Sequence, residues 1–151
     1  MEYVLETEGL TKIYGRTAVV DHVSMQVRKG DIYGFIGKNG AGKTTFMRMA
    51  AGLARPSAGS LRLFGSEDLL RQRMRIGTLI ESPGAYPGMT AKENLTVLKK
   101  SLGIPDRGRI EELLTLTGLK EAGGKKVKHY SMGMKQRLGL AMALLRDRDC
   151  L

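Results

Sequence analysis

The stretch Gly37-Lys38-Asn39-Gly40-Ala41-Gly42-Lys43-Thr44 follows the spacing G-x-x-x-x-G-K-[ST]. It lies between an apolar run, Ile32 to Ile36, and a run of helical composition, Thr45 to Ala51. A polyphosphate site requires that order. Glycines let the backbone curl until successive N–H groups converge on one anion, and the helix start adds partial positive charge behind them. Lys43 supplies a full charge for the β- and γ-phosphates, and the Thr44 hydroxyl is placed to ligate Mg²⁺. The motif predicts a nucleoside triphosphate binder in which Lys43 is indispensable.

Other chemistries lack their residues. The 151-residue chain has one cysteine and two histidines, so Cys150, His22 and His129 make neither a disulfide framework nor a thiolate/imidazole zinc site. Cys150 reads as a small core residue in a reducing compartment. The longest apolar run, Leu138 to Leu145, falls far short of the roughly 20 residues of a membrane-spanning helix. The opening Met1-Glu2-Tyr3-Val4-Leu5-Glu6 is acidic and carries no long apolar stretch, unlike a secretory signal. The net charge of +10 raises nucleic acid as a partner. Residues 98–151 hold twelve Lys/Arg against six Asp/Glu, but in clusters of at most two and with only Tyr130 as an interleaved aromatic. A solvated basic face is the simpler reading, and no nucleic acid is expected.

The elements that must position this loop follow from the patterning. Val4 to Tyr14 and Ala18 to Val27 read as strands, and Lys29-Gly30-Asp31 as a turn into a third strand, Ile32 to Ile36. A helix over Thr45 to Ala51 is stopped by Gly52 and Pro56. Ser60 to Phe64 is a short strand, Glu67 to Arg75 a short helix and Ile76 to Ile80 another strand. The loop 82–88 contains Pro83, Tyr86 and Pro87, and Thr90 with Glu93 spells a capping box for a helix to about Leu102. Further helices are expected over Arg109 to Gly118 and Gly133 to Arg146, the last capped by Ser131. The Met-containing run Phe46-Met47-Arg48-Met49 reads as core. This is an α/β pattern: a strand-rich part, 1–81, followed by a helical part, 82–146.

A second motif narrows the class. Tyr130-Ser131-Met132-Gly133-Met134-Lys135-Gln136-Arg137 resembles the signature sequence of ATP-binding-cassette (ABC) ATPases and sits at the head of a helix, as that motif does. Tyr14 matches the family's adenine-stacking aromatic, Gly37 to Thr45 its Walker A, and Gly52-Leu53, Pro56 and Gly59 the turn after the first helix. Ile76-Gly77-Thr78-Leu79-Ile80-Glu81 aligns with its Q-loop, with Glu81 where Gln is usual. Met132, Met134 and Glu81, with Pro83 to Pro87, resemble the bacitracin/lantibiotic-type exporter subgroup. A Ser hydroxyl, a glycine N–H and a helix N-terminus make a second anion site, suited to a γ-phosphate held by another chain's phosphate loop.

The resemblance implies an α/β P-loop NTPase core with an N-terminal antiparallel β part and a helical subdomain. ATP would be held by Tyr14, Gly37, Asn39, Gly40, Ala41, Gly42, Lys43, Thr44, Thr45, Ser131 and Gly133, and Mg²⁺ by Thr44 and Glu81. A solvated loop carboxylate remains the other reading of Glu81, and plain packing that of Tyr14. The implied partners are a second nucleotide-binding subunit and a membrane-spanning permease contacted near Tyr86 and Pro87, with the chain peripheral on the cytoplasmic face. In the family a Walker B strand, a catalytic Glu and a switch His follow the signature helix. Here Asp147 to Leu151 reads as the approach to that strand, so the C-terminal part of the core, and every catalytic residue, is expected beyond Leu151. A chain lacking that central strand is expected to be marginal in stability, with little or no turnover. Two other readings stay open: a non-transport cassette protein acting on ribosome or DNA, and a non-catalytic binding fragment.

Overall fold

The structure is a computed structural model that describes residues 2–105 and 108–146. Those residues fall into two compact units, 2–76 and 77–146.

The first unit is built on a three-stranded antiparallel sheet, β1 (Tyr3–Tyr14), β2 (Thr17–Arg28) and β3 (Ala58–Leu63), in the order β2-β1-β3. The pairing of β1 with β2 slips repeatedly between Thr7 and Ile13. Two buried threonines fill the gaps in the ladder. Thr7 Oγ1 donates to Val23 O and accepts from the Met25 N–H, and Thr11 Oγ1 accepts from the His22 N–H, so backbone groups freed by the slips keep partners. The inner face carries Leu10, Val20, Leu61 and Leu63, packed with Phe46 and Met49 of helix α1 (Lys43–Ala51). Helix α2 (Leu69–Gln72) runs into a 3₁₀ turn, Arg73–Arg75, so the helix expected over Glu67 to Arg75 is shorter and tightens at its end.

Among the described residues two expected strands form no ladder, although Ile76, at the start of the second, makes a single bridge. Residues 31–38 take part in no ladder, and Ile32 and Ile36 are fully exposed, while Phe35 turns onto the Phe46 ring with centroids 5.0 Å apart. Residues 77–80 likewise join no ladder. Both runs are apolar enough for buried parallel strands, but a strand exists only through the hydrogen bonds of a neighbour. Among the described residues none lies beside either. The approach to a further strand, expected over 147–151, lies outside the described residues.

The second unit is helical: α3 (Ala91–Ser101), α4 (Arg109–Leu116) and α5 (Met132–Ala143), with 3₁₀ turns at Lys120–Ala122 and Val127–His129. Ala91, Leu95, Ile110, Leu113, Leu114, Leu119, Leu138, Ala141 and Leu145 form one core, closed by Val127 and Tyr130. The expected bounds hold for α3, while α5 starts one residue early and stops at Ala143. Gly139 lets α5 approach the segment ahead of α3 closely: a Cβ there would lie 2.5 Å from Leu79 and 3.0 Å from Pro83. Among the described residues no helix is long and apolar enough to cross a membrane.

The capping box of α3 is complete: Thr90 Oγ1 accepts from the Glu93 N–H, and a Glu93 carboxylate oxygen accepts from the Thr90 N–H at 2.7 Å. The bond from the Thr90 backbone, helped by the Thr90 side chain, holds the Glu93 carboxyl below the ordinary glutamate range. A lowered folded-state value means that this cap supports the helix above the unfolded glutamate pKa and fades as pH falls through the folded one. An NMR titration of the Glu93 carboxyl should give a midpoint below that of an ordinary glutamate, and Thr90→Val, which keeps the backbone donor, should move it only part of the way back; a midpoint at the ordinary glutamate value in the unsubstituted chain would count against the cap.

Candidate functional site

The phosphate loop is wound round its own lysine. The Lys43 ammonium donates to the carbonyls of Gly37 at 2.6 Å and Lys38 at 2.8 Å, and the Ala41 N–H closes a turn onto Lys38 O at 3.1 Å. Asn39, Gly40 and Ala41 form the exposed crest, with Gly40 in the left-handed region at φ 83°. Gly42 then stands at the N-cap of α1 with φ 86°, and no side chain caps the helix. The first helical bond runs from the Phe46 N–H to Gly42 O at 2.8 Å. The amides of Lys43, Thr44 and Thr45 therefore have no partner within the helix, and they stand where the helix dipole is positive. Thr44 is exposed and Thr45 half-buried.

Bare amides, a positive helix end and one ammonium suit a polyphosphate and repel cations, so the donor set fits the anion expected from the sequence. A backbone path this tight against β2 demands glycine: a Cβ on Gly42 would lie 2.2 Å from Val19 O.

Tyr14 ends β1 opposite Thr17 and is half exposed, with the Lys12 ammonium 4.9 Å from its ring centroid. The ammonium lies over one face of the half-exposed ring. Phe46 and Met49 are core as expected, whereas Met47 is largely exposed.

In the second unit Ser131 caps α5, its Oγ accepting from the Met134 N–H at 3.2 Å, with Met132 and Gly133 exposed at the helix head. The first-turn amides of a twelve-residue helix thus open at the surface beside a hydroxyl. Glu81 is exposed and lies in the left-handed region at φ 65°, which a residue with a Cβ rarely adopts. The packing of Leu79 and Pro83 on either side of it, against α5, holds the chain in that turn.

Tyr86 is exposed, but its backbone is not loose. Asn94, buried within α3, accepts from the Tyr86 N–H at 2.7 Å and donates to Tyr86 O and Thr90 O. The Lys128 N–H donates to Pro87 O and the Val127 N–H to Met89 O. Asn94 was not among the residues singled out from sequence. Its signal is there, since Ala91, Asn94, Leu95 and Leu98 share one helical stripe on which Asn is the polar exception.

A cassette-type nucleotide-binding chain is what this loop and its helix, followed by a second exposed helix head at Ser131 and Gly133, define. The family model for the ABC transporter matches residues 20–151, and the chain belongs to that family. It is 46% identical over 157 residues to the bacitracin transport ATP-binding protein BcrA of Bacillus licheniformis, covering all of this chain and 50% of that protein. With the lantibiotic transport ATP-binding protein SrtF of Streptococcus pyogenes it shares 38% identity over 144 residues, covering 95% of this chain and 62% of that one. A solved structure described as the ATP binding subunit of an ABC transporter superposes with a TM-score of 0.79 at 27% identity, over 94% of this chain and 62% of its own. The chain thus spans about half to three-fifths of the length of these relatives.

Gly42→Ala should cost about 2 kcal/mol or more in denaturant unfolding, because strain and a backbone clash add. Gly40→Ala, with nothing within 4 Å of its Cβ, should cost only about 1 kcal/mol. Equal losses would mean that the loop does not press on β2.

Proposed function

We propose that this chain binds ATP with Mg²⁺ through its phosphate loop and serves, within a longer protein, as the nucleotide-binding part of an exporter for a peptide antibiotic or similar amphiphile. One observation carries the binding: the Lys43 ammonium is gathered against a loop whose following helix has no side-chain cap. In this reading 1–81 is the nucleotide-binding core and 82–146 the helical part, although residues 77–81 fall with the helical unit in the structure.

Lys43 meets the β- and γ-phosphates, the amides of Gly40 and of Gly42 to Thr45 receive the phosphate oxygens while the Ala41 N–H holds the turn onto Lys38 O, Tyr14 stacks on the base, and Thr44 and Glu81 are the residues assigned to Mg²⁺. When bound, Mg²⁺ neutralises charge between the β- and γ-phosphates. Ser131 and Gly133 receive the γ-phosphate of a second nucleotide-binding subunit's ATP, so that two chains complete each other's sites head to tail. Hydrolysis needs a second carboxylate and a group that orients water; by the resemblance these follow Leu151, and residues 1–151 by themselves bind without turning over. Tyr86 and Pro87 face a membrane-spanning permease, which places the chain on the cytoplasmic side of the membrane. The names of BcrA and SrtF support bacitracin-like and lantibiotic-like cargo.

Lys43→Ala should abolish ATP binding in calorimetry, and an unchanged affinity would sink the assignment. Glu81→Ala should weaken binding in the presence of Mg²⁺ by about tenfold and leave Mg²⁺-free binding within about twofold. Equal effects in the two buffers would leave Glu81 a solvated loop carboxylate.

A further inference from the structure

Helix α1 is short, nine residues, and its N-terminus has no side-chain cap and no acidic residue in its first turn. A helix of two and a half turns is marginal by itself and needs its ends secured. The securing groups are at the other end. Gly52 takes the left-handed cap at φ 82°, its N–H donating back to Met49 O, and the Leu53 and Ala54 N–H groups both donate to Arg48 O. The Arg73 guanidinium then reaches in from the 3₁₀ turn after α2, donating through Nε to Ala50 O and through a terminal nitrogen to Met49 O, each at 3.0 Å.

The fit is tight. A Cβ on Gly52 would lie 2.7 Å from both Cζ and Nε of Arg73, so this glycine serves the cap and makes room for the cation. Burial lowers the Arg73 pKa from its ordinary value, yet a guanidinium stays charged in water-accessible protein. A cation at a helix C-terminus stabilises the dipole whose positive end faces the phosphates.

We infer that Arg73 is a positioning residue for the phosphate loop: from the far end of α1 it supplies the end-stabilisation that the ligand-facing end forgoes. The bidentate contact fixes the last turn, and through two and a half turns of helix it fixes Lys43 and Thr44 at the first. Arg73 touches no phosphate and acts only through α1. Charge is part of the role, since a neutral donor at the same place would satisfy a carbonyl without opposing the dipole. The affinity part of this inference rests on the nucleotide reading; the clamp itself does not.

The test compares the full chain with Arg73→Ala, Arg73→Gln and Arg73→Lys. Amide exchange in residues 47–53 should quicken about tenfold in the Ala and Gln variants while the β1–β2 hairpin keeps its protection, and ATP affinity should fall about tenfold in both. Arg73→Lys should recover affinity to within about threefold of the unsubstituted chain. Exchange in 47–53 unchanged within twofold would overturn the clamp, and this arm needs no ligand. Faster exchange with unaltered affinity would overturn the positioning role, and equal behaviour of the Lys and Gln variants would overturn the part played by charge. Absence of ATP binding by the unsubstituted chain would strike the nucleotide reading instead, with the exchange arm still deciding the clamp.

Discussion

The feature on which the first unit turns is a helix left without a cap. Most helices satisfy their first amides with a Ser, Thr, Asp or Asn side chain, which contributes about 1 kcal/mol. Helix α1 begins instead at Gly42 in a left-handed conformation, its first amides open to solvent. Everything around it answers that omission. The loop folds back so that Gly37 and Lys38 carbonyls take the Lys43 ammonium, Phe46 and Met49 bury one face of the helix in the sheet's core, and the far end is held by Gly52. Capping the helix internally would occupy the very donors an anion needs, so binding capacity and local stability compete for the same atoms.

The second unit solves the opposite problem. Two of its three helices are capped by side chains, Thr90 for α3 and Ser131 for α5, while α4 starts at the left-handed Gly108 without one, and a single core joins all three. Its loops are the parts under constraint. Asn94 spends a fully buried position on three hydrogen bonds to the 86–90 loop, which a purely apolar stripe could not provide. Glu81 holds a backbone conformation that costs on the order of 1 kcal/mol or more, persisting because its flanks are packed on α5.

Much of this was legible in the residues themselves. The phosphate loop is written in glycine spacing, the α3 cap in Thr90 and Glu93, and the strand pair before the loop in the runs Val4 to Tyr14 and Ala18 to Val27. What could not be read is what depends on partners distant in sequence. Apolar content made Ile32 to Ile36 and Ile76 to Ile80 look like strands, but patterning records a preference for burial and not the neighbour that delivers it. The slips of β1 against β2 free backbone groups that Thr7 and Thr11 satisfy, through hydroxyls that give no one-dimensional signal. Arg73 reads as one more surface cation in a basic chain until the carbonyls of Met49 and Ala50 are seen within its reach.

Ile32 and Ile36 show what such an unmet preference amounts to. Each stands wholly in water, and covering an isoleucine side chain is worth about 1.5–3 kcal/mol. Beside them run main-chain groups joined to no ladder. Any extended segment laid alongside would therefore gain both a row of hydrogen bonds and the removal of two branched side chains from solvent. The first unit accordingly has stability to gain in the five residues leading into the phosphate loop, immediately upstream of Gly37.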